Sequence, residues 1–362
     1  MKYTVFLILF CFLISSKIVN AKKDLYGIDS IQKIEIFFTQ QNWDYQLDTA
    51  RDGQDGYLMA NLVKINGHEF DSVGVKYKGN SSYNKNKYKN PFTISLDEYT
   101  SHSYQGYTTL KLSNCYQDPS MIREVLAYNI LAKYMYCPRA NFAQVYVNGV
   151  YYGVYTNDEN INKVFCATHF NAGQNTLIKC NPSTVAPAMK CNLKYISIDS
   201  SKYYNRYEMK SDYGWADLIA LADSITNSPS SITRVMNIDR VLWMLAFDNV
   251  IVNLDSYIGL YSQNYFVNRA PDGKYNPIIW DMNMAFGGFI NAGAGSTGDN
   301  IHSTLASQSQ LSPLLHEGDA FWPLVKNVLN NPSLKKQYLA HMNTIIEENF
   351  SNAAYETDAA RY

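Results

Sequence analysis

The sequence lacks the short motifs that define several enzyme and metal-binding classes. It has no Cys-x-x-Cys pair, which argues against a structural zinc site. It has neither His-Glu-x-x-His nor Gly-x-Ser-x-Gly, so a zinc protease and a serine hydrolase are disfavoured. Gly-x-Gly-x-x-Gly does occur at residues 293–298, but not between a strand and a helix as a dinucleotide site requires. We interpret that segment as a loop.

Long hydrophobic runs are missing beyond the first residues. Residues 5–14 are apolar, but this run is too short to cross a bilayer comfortably. It follows a basic start and precedes Val19-Asn20-Ala21, which suits signal-peptidase cleavage. We therefore predict a secretory signal peptide at residues 1–21, with a membrane anchor as the alternative. We expect a protein of the extracellular space or secretory pathway, with no transmembrane segment in residues 22–362.

An excess of charge of one sign is also absent. The chain has 31 basic and 32 acidic residues, a formal net charge of −1. Loss of Lys2 and Lys17 with residues 1–21 would leave it slightly more acidic. Nucleic-acid-binding proteins normally carry a basic stripe, so we expect no nucleic-acid partner.

Cysteine is scarce, with six residues in the chain. Five follow the predicted signal peptide, and an odd number leaves at least one thiol outside any internal disulfide. Cys180 and Cys191 flank a short segment, so we predict that an oxidising compartment would pair these two.

The hydrophobic pattern changes from strands to helices along the chain. Asn-Gly pairs at 66–67 and 148–149 predict hairpin turns. Strands are predicted at 57–65, 70–77, 89–96, 143–147, 151–155, 265–268 and 275–280. Helices are predicted at 118–134, 217–224, 238–252, 321–329 and 334–350, with a loop-rich stretch at 170–210. We predict an α+β fold with a strand-rich lobe at about 30–160 and a helix-rich lobe at about 161–362.

Three polar residues follow one another in an order that suits phosphoryl transfer. Asp255 comes after a buried helix, Asn264 directly precedes a strand, and Asp281 ends the next strand. Phosphoryl transfer needs one carboxylate near the attacking hydroxyl. It also needs a second carboxylate and a neutral oxygen ligand for the metal ion that neutralises the phosphates.

The surrounding motifs resemble those of the CotH kinase family, atypical kinases first known from bacterial spore coats. Around the three residues, the family pattern is matched by Asn253-Leu254-Asp255-Ser256-Tyr257, Asn264-Tyr265 and Trp280-Asp281-Met282-Asn283-Met284-Ala285-Phe286-Gly287. Upstream it is matched at residues 74–82, 89–94, 111–123 and 148–159. The resemblance covers roughly residues 62–287, most of the chain that follows the predicted signal peptide.

The resemblance implies a two-lobed atypical protein-kinase-like fold that occupies residues 22–362. It implies ATP and Mg²⁺ or Mn²⁺ as cofactors, and transfer of the γ-phosphate to Ser or Thr hydroxyls of a protein, with the chain itself as one candidate acceptor. Asp255 would be the catalytic base, and Asn264 and Asp281 would bind the metal. Two departures matter: nine positions separate Asp255 from Asn264, more than in ordinary kinases, and Asn283 replaces an Asp found in some members.

The resemblance also suggests nucleotide contacts, each with a simpler alternative. Lys78 and Gly79 lie in the conserved turn, and Lys89 enters the next strand, where a phosphate contact competes with an ordinary solvated lysine. Arg123 is a phosphate contact or a structural ion pair, and the adjacent Glu124 is a candidate partner of the lysine. Glu159 lines the nucleotide pocket or is an acid at a helix start.

Two other classes of protein stay open. Some surface-exposed relatives are adhesins, so the chain would then be a weak or inactive kinase fold that binds a cell surface. A carbohydrate-associated protein is a third reading, based on the 30 tyrosines, but no suitably paired carboxylates support it.

Overall fold

The computed structural model describes residues 23–53, 56–183, 190–289, 304–351 and 353–361. These residues contain both α-helices and β-sheets, which confirms the predicted α+β class. The predicted signal peptide and the loop at 293–298 lie outside the described residues.

The N-terminal part is a closed barrel of seven strands with the order β1-β2-β3-β4-β5-β7-β6. The strands are β1 (Gln32–Phe37), β2 (Leu58–Ile65), β3 (His68–Tyr77), β4 (Phe92–Ser95), β5 (Thr109–Ser113), β6 (Ala140–Val147) and β7 (Val150–Asp158). Parallel pairing of β1 with β6 closes the barrel, with Ile34 opposite Val145. Both side chains are buried in the apolar interior.

Both predicted Asn-Gly hairpins are present. Asn66 and Gly67 connect β2 to β3 with φ values of 51° and 85°. Asn148 and Gly149 connect β6 to β7 with φ values of 48° and 81°. Positive φ at both central positions is typical of the type I′ turn, whose twist matches that of the flanking strands.

A second sheet has four strands in the order β11-β10-β8-β9. The strands are β8 (Leu177–Cys180), β9 (Tyr207–Met209), β10 (Tyr265–Arg269) and β11 (Tyr275–Ile279). The prediction of a loop-rich stretch at 170–210 missed β8 and β9. Strands of four and three residues carry too little periodicity to be recognised in a sequence.

Helices occur in both parts of the chain and predominate in the C-terminal part. Those described are α1 (Trp43–Gly53), α2 (Arg123–Leu131), α3 (Lys163–Phe170), α4 (Trp215–Asn227), α5 (Ile232–Val235), α6 (Ile238–Val250), α7 (Leu305–Gln308), α8 (Pro323–Leu329), α9 (Pro332–Asn349) and α10 (Ala354–Arg361). One hydrophobic core joins α2, α4, α6, α8 and α9 to the second sheet. No helix within the described ranges combines the length and apolarity that a membrane span needs.

Helix α2 begins later than predicted. The sequence favoured a start at Asp118-Pro119, whereas the first helical residue is Arg123. Met121 has a φ of 63°, which interrupts the right-handed backbone. The Asp118 carboxylate accepts hydrogen bonds from the backbone N–H groups of Ser120 and Arg123, so it stabilises the turn that leads into the helix.

The predicted Cys180–Cys191 disulfide is wrong for this structure. Both residues are free, buried thiols, as are the other cysteines of the described ranges. The Cys191 thiol donates instead to the backbone carbonyl of Arg206. Cys180 ends β8, where it pairs in register with Tyr207 and Tyr265.

Candidate active site

The β10–β11 hairpin brings Asp255, Asn264 and Asp281 to one end of the second sheet. Tyr265 lies opposite Ile279, so the residues just outside the hairpin are neighbours. The Trp280 N–H donates to the Asn264 carbonyl at 3.0 Å, directly before Asp281. The Asn264 side-chain amide donates to the Asp255 carbonyl at 2.8 Å.

The long spacing between Asp255 and Asn264 is taken up by a folded loop. The Gly259 and Gln263 N–H groups both donate to the Ser256 carbonyl, at 3.1 and 3.3 Å. A Cβ atom at position 259 would lie 1.6 Å from the Leu254 carbonyl oxygen, so this turn requires glycine. The loop returns Gln263 to Asp255, where its amide donates to the carboxylate at 2.5 Å.

Helix α2 fixes the position of Asp281. This residue has a left-handed φ of 57°, and its N–H donates to the buried Tyr128 hydroxyl at 3.1 Å. Two residues further on, the Asn283 amide donates to the Tyr116 carbonyl at 3.4 Å. A left-handed backbone at a non-glycine residue persists only where neighbouring contacts hold it. The Tyr128 contact is one of them.

The two aspartates are in an unfavourable environment for negative charge. Burial, with the Asp281 charge as the next contribution, raises the pKa of Asp255 to about 8. Burial also raises the pKa of Asp281, although the positive charges of Lys78 and Lys179 oppose the shift. Two carboxylates in one desolvated site favour a bound cation, since a cation stabilises their charged forms.

The barrel contributes Lys78 and Asp158 to the same region. The Lys78 ammonium lies 3.7 Å from the Asp158 carboxylate and donates to the Ser113 hydroxyl at 2.8 Å. Ser113 in turn donates to Asp158 at 3.2 Å. Lys78 follows β3 and Asp158 ends β7, so this contact joins two barrel strands close to Asp281.

Three further residues in this region were not selected from the sequence as site residues: Lys111, Asp158 and Lys179. Glu124, the predicted partner of Lys89, lies in the same region. Lys111 on β5 donates to the Thr93 hydroxyl at 3.3 Å, and burial, aided by the Lys78 charge, lowers its pKa to about 7. Glu124 on α2 is buried, and burial, with Asp158 and Asp281, raises its pKa well above the usual range. A single charged residue within a strand or helix has no local pattern that would have revealed its role.

The other predicted nucleotide contacts have different surroundings. Gly79 is left-handed and its carbonyl accepts from Arg51 at 2.5 Å. The Lys89 ammonium lies 4.9 Å from the centre of the Tyr155 ring. Arg123 pairs with Asp118 at 3.2 Å.

Glu159 lines a small pocket with Tyr107 and Asn162, next to the Asp158 end of β7. Its carboxylate accepts from the Arg139 N–H at 3.2 Å.

The donor set fits magnesium or manganese bound jointly with phosphates. The described residues contain no group of three acidic, His or Cys side chains arranged as a complete metal cage. Mg²⁺ commonly takes only one or two carboxylates and completes its shell with water and phosphate oxygens. Asp281 and Asn264 at the hairpin end meet that requirement. One oxygen each of Glu124 and Asp158 is buried without a hydrogen-bond partner among the described residues.

The chain matches the model of a known family. The family model described as CotH kinase protein matches residues 75–362. The match covers the barrel from the end of β3 onward and the helix-rich part, and it includes every candidate site residue. The chain therefore belongs to the CotH kinase family.

A curated relative supports the same assignment. The chain is 23% identical over 235 residues to inner spore coat protein H of Bacillus subtilis (strain 168). The aligned region covers 62% of this chain and 62% of the relative. The chain thus spans somewhat less than two thirds of the relative it matches.

Proposed function

We propose that this chain is an atypical protein kinase that binds ATP with Mg²⁺ or Mn²⁺. The barrel and the helix-rich part would be the two lobes, with the nucleotide between them. The γ-phosphate would pass to a Ser or Thr hydroxyl of a protein, with the chain itself as one candidate acceptor. The predicted signal peptide and the spore-coat relative support a secreted or spore-surface location.

One observation carries the proposal: charged groups from both parts of the chain converge. Lys78 and Asp158 come from the barrel, and Asp255, Asn264 and Asp281 come from one end of the second sheet. The charges of Lys78 and Asp158 act on the Asp281 carboxylate, which supports a shared site. A site that binds a nucleoside triphosphate with a divalent ion needs such a combination of lysine, carboxylate and amide oxygen.

The residues divide into three tasks. Lys78 would bind phosphate oxygens, and the buried Asp158 would hold its ammonium group in place. Asp281 and the Asn264 side-chain oxygen would hold the metal ion, which neutralises the phosphates when bound. Asp255 would accept the proton of the acceptor hydroxyl. The hydroxyl oxygen then forms the new bond to the γ-phosphorus, and the bond from that phosphorus to the β-γ bridging oxygen breaks, releasing ADP with the electron pair.

Thermal unfolding of the purified chain tests the proposal. The melting temperature is measured with and without ATP, in the presence of Mg²⁺, of Mn²⁺ or of a chelator. A ligand that binds the native state raises the melting temperature. We expect a metal-dependent rise with ATP that is absent in Asp281→Ala.

Asp212→Ala is the matched control, because the Asp212 side chain is 91% exposed and its partner is Lys163. This variant should respond to ATP as the wild type does. A wild-type chain that does not respond to ATP with either metal would overturn the proposal. That result would favour the alternative of a kinase-like scaffold used for surface binding.

A further inference from the structure

We propose that Lys179 is a further catalytic residue, which binds the terminal phosphate of the nucleotide. This inference rests on the proposed function. Lys179 lies on β8, in register with Phe266 on β10 and Glu208 on β9. It therefore belongs to the same sheet as the hairpin that carries Asn264 and Asp281, whereas Lys78 belongs to the barrel.

The side chain of Lys179 is held in one position. Its ammonium group lies 4.4 Å from the centre of the Trp280 ring and 3.8 Å from the Glu208 carboxylate. The side chain is only 18% exposed. An ammonium group over an indole face is attracted by the ring electrons. Trp280 directly precedes Asp281, so the residue that holds the Lys179 side chain is adjacent in the chain to the proposed metal-binding aspartate.

Charges of both signs surround Lys179, with Glu208 and Asp281 as the negative groups. Glu208 is also paired with Lys210, so one carboxylate serves two ammonium groups. From the barrel, Lys78 and Lys111 add positive charge. The charges of Lys179 and Lys210 contribute to the lowered pKa of Lys111. A metal ion bound at Asp281 would engage that carboxylate, so the lysines would then face the phosphates with less compensation from the protein. The arrangement therefore suits a multiply charged anion between the barrel and the second sheet.

The position along the sheet indicates which part of that anion Lys179 contacts. The reacting phosphate has to lie near Asp255, which takes the proton, and near Asp281. Asp281 is itself influenced by the charge of Lys179. A lysine on the sheet that carries Asp281 is therefore suited to the terminal phosphate, while the barrel lysines suit the remaining phosphates. Lys179 would stabilise the charge on the transferred group and would exchange no proton.

A purely structural role for Lys179 and a role in binding the terminal phosphate predict different effects on ADP and ATP binding. If the side chain only stacks on Trp280 and pairs with Glu208, its removal should lower stability and weaken ADP and ATP binding equally. If it binds the terminal phosphate, its removal should affect ATP and leave ADP binding nearly unchanged. Lys179→Met keeps an unbranched apolar stem over Trp280 and removes only the charge. Lys179→Arg keeps the charge.

The experiment compares the rise in melting temperature caused by ADP and by ATP, each with Mg²⁺ and with a chelator. It uses wild type, Lys179→Met, Lys179→Arg and the control Lys163→Met, whose lysine pairs with the exposed Asp212. We expect Lys179→Met to keep the ADP response and to lose at least half of the additional response to ATP. The turnover number for phosphate transfer should fall at least tenfold, and the KM for ATP should rise in line with the lost ATP response. Lys179→Arg should recover part of both losses.

The possible failures are distinguishable. Equal loss of the ADP and ATP responses, or an unchanged ATP increment with normal turnover, would overturn the role of Lys179 while the proposed function stands. A wild-type chain without any nucleotide response would overturn the proposed function and this inference together.

Discussion

The Lys78 ammonium lies 3.7 Å from the Asp158 carboxylate, and the aspartate side chain is only 1% exposed. Removing one partner of such a pair leaves the other charge buried, which typically costs about 3–5 kcal/mol. We therefore expect Lys78→Met to lower the free energy of unfolding by an amount of that order, as measured by urea denaturation. The double variant Lys78→Met with Asp158→Asn should lose much less than the sum of the two single variants. Additive losses would show that the pair is not coupled in the folded chain.

The buried Asp248 on α6 predicts a pH dependence of stability. Burial raises its pKa to about 7, although the Asn253 amide donates to it at 3.0 Å. In the unfolded chain the carboxyl has an ordinary pKa near 3.8. Between these two values the folded state holds one more proton, so the free energy of unfolding falls as the pH rises, by at most about 1.4 kcal/mol per unit.

Asp248→Asn removes that titration. Urea unfolding from pH 5 to pH 8 should show the wild type losing stability relative to Asp248→Asn as the pH rises, with the difference levelling off above pH 7. Asp212→Asn, at an exposed position, controls for the loss of one negative charge. Parallel pH profiles for wild type and Asp248→Asn would contradict the assignment of the raised pKa.

The contact between Tyr128 and Asp281 predicts that α2 controls metal binding. Tyr128→Phe removes the hydroxyl that accepts the Asp281 N–H, and a buried group left unsatisfied costs about 1–3 kcal/mol. We expect that loss of stability together with a smaller metal-dependent response to ATP in thermal unfolding. Tyr134→Phe is the matched control, because that hydroxyl bonds Glu348 and Asn349, away from Asp281. If both variants respond to ATP equally, Tyr128 has no positioning role.

The contrast between local and distant signals explains how much the sequence could predict. The Asn-Gly turns were recognised because two adjacent residues determine the turn. Strand β1 was missed because its six residues carry only a short alternation of apolar and polar side chains, and its pairing with β2 and β6 is not visible in the sequence. The short strands β8 and β9 were missed for the same reason.

The candidate site divides in the same way. Asp255, Asn264 and Asp281 lie in short motifs around one hairpin, so their order in the chain indicates their proximity. Lys111, Asp158 and Lys179 come from three different strands, and only the folded barrel and sheet bring them near Asp281. The predicted disulfide failed because closeness of Cys180 and Cys191 in sequence says nothing about the direction of their side chains in the fold.

The turn after β3 offers a last prediction, at Gly79. This residue has a φ of 86°, and a Cβ atom there would lie 2.1 Å from the Ser82 hydroxyl oxygen. Gly67, at the other end of β3, has nearly the same φ of 85° but has open space around the Cβ position. Gly67→Ala should therefore pay only for the left-handed backbone, about 1 kcal/mol.

Gly79→Ala additionally forces the Ser82 hydroxyl to rotate away and brings the new methyl group against Pro91, beside Lys78. We therefore expect it to lose more stability than Gly67→Ala and also to weaken the response to ATP. Urea unfolding gives the first comparison, and the rise in melting temperature with ATP and Mg²⁺ gives the second. Equal behaviour of the two variants in both measurements would mean that the turn at Gly79 does not position Lys78. A smaller ATP response in Gly79→Ala alone would instead connect this turn to nucleotide binding. Gly67→Ala controls for the left-handed backbone, because both glycines have nearly the same φ.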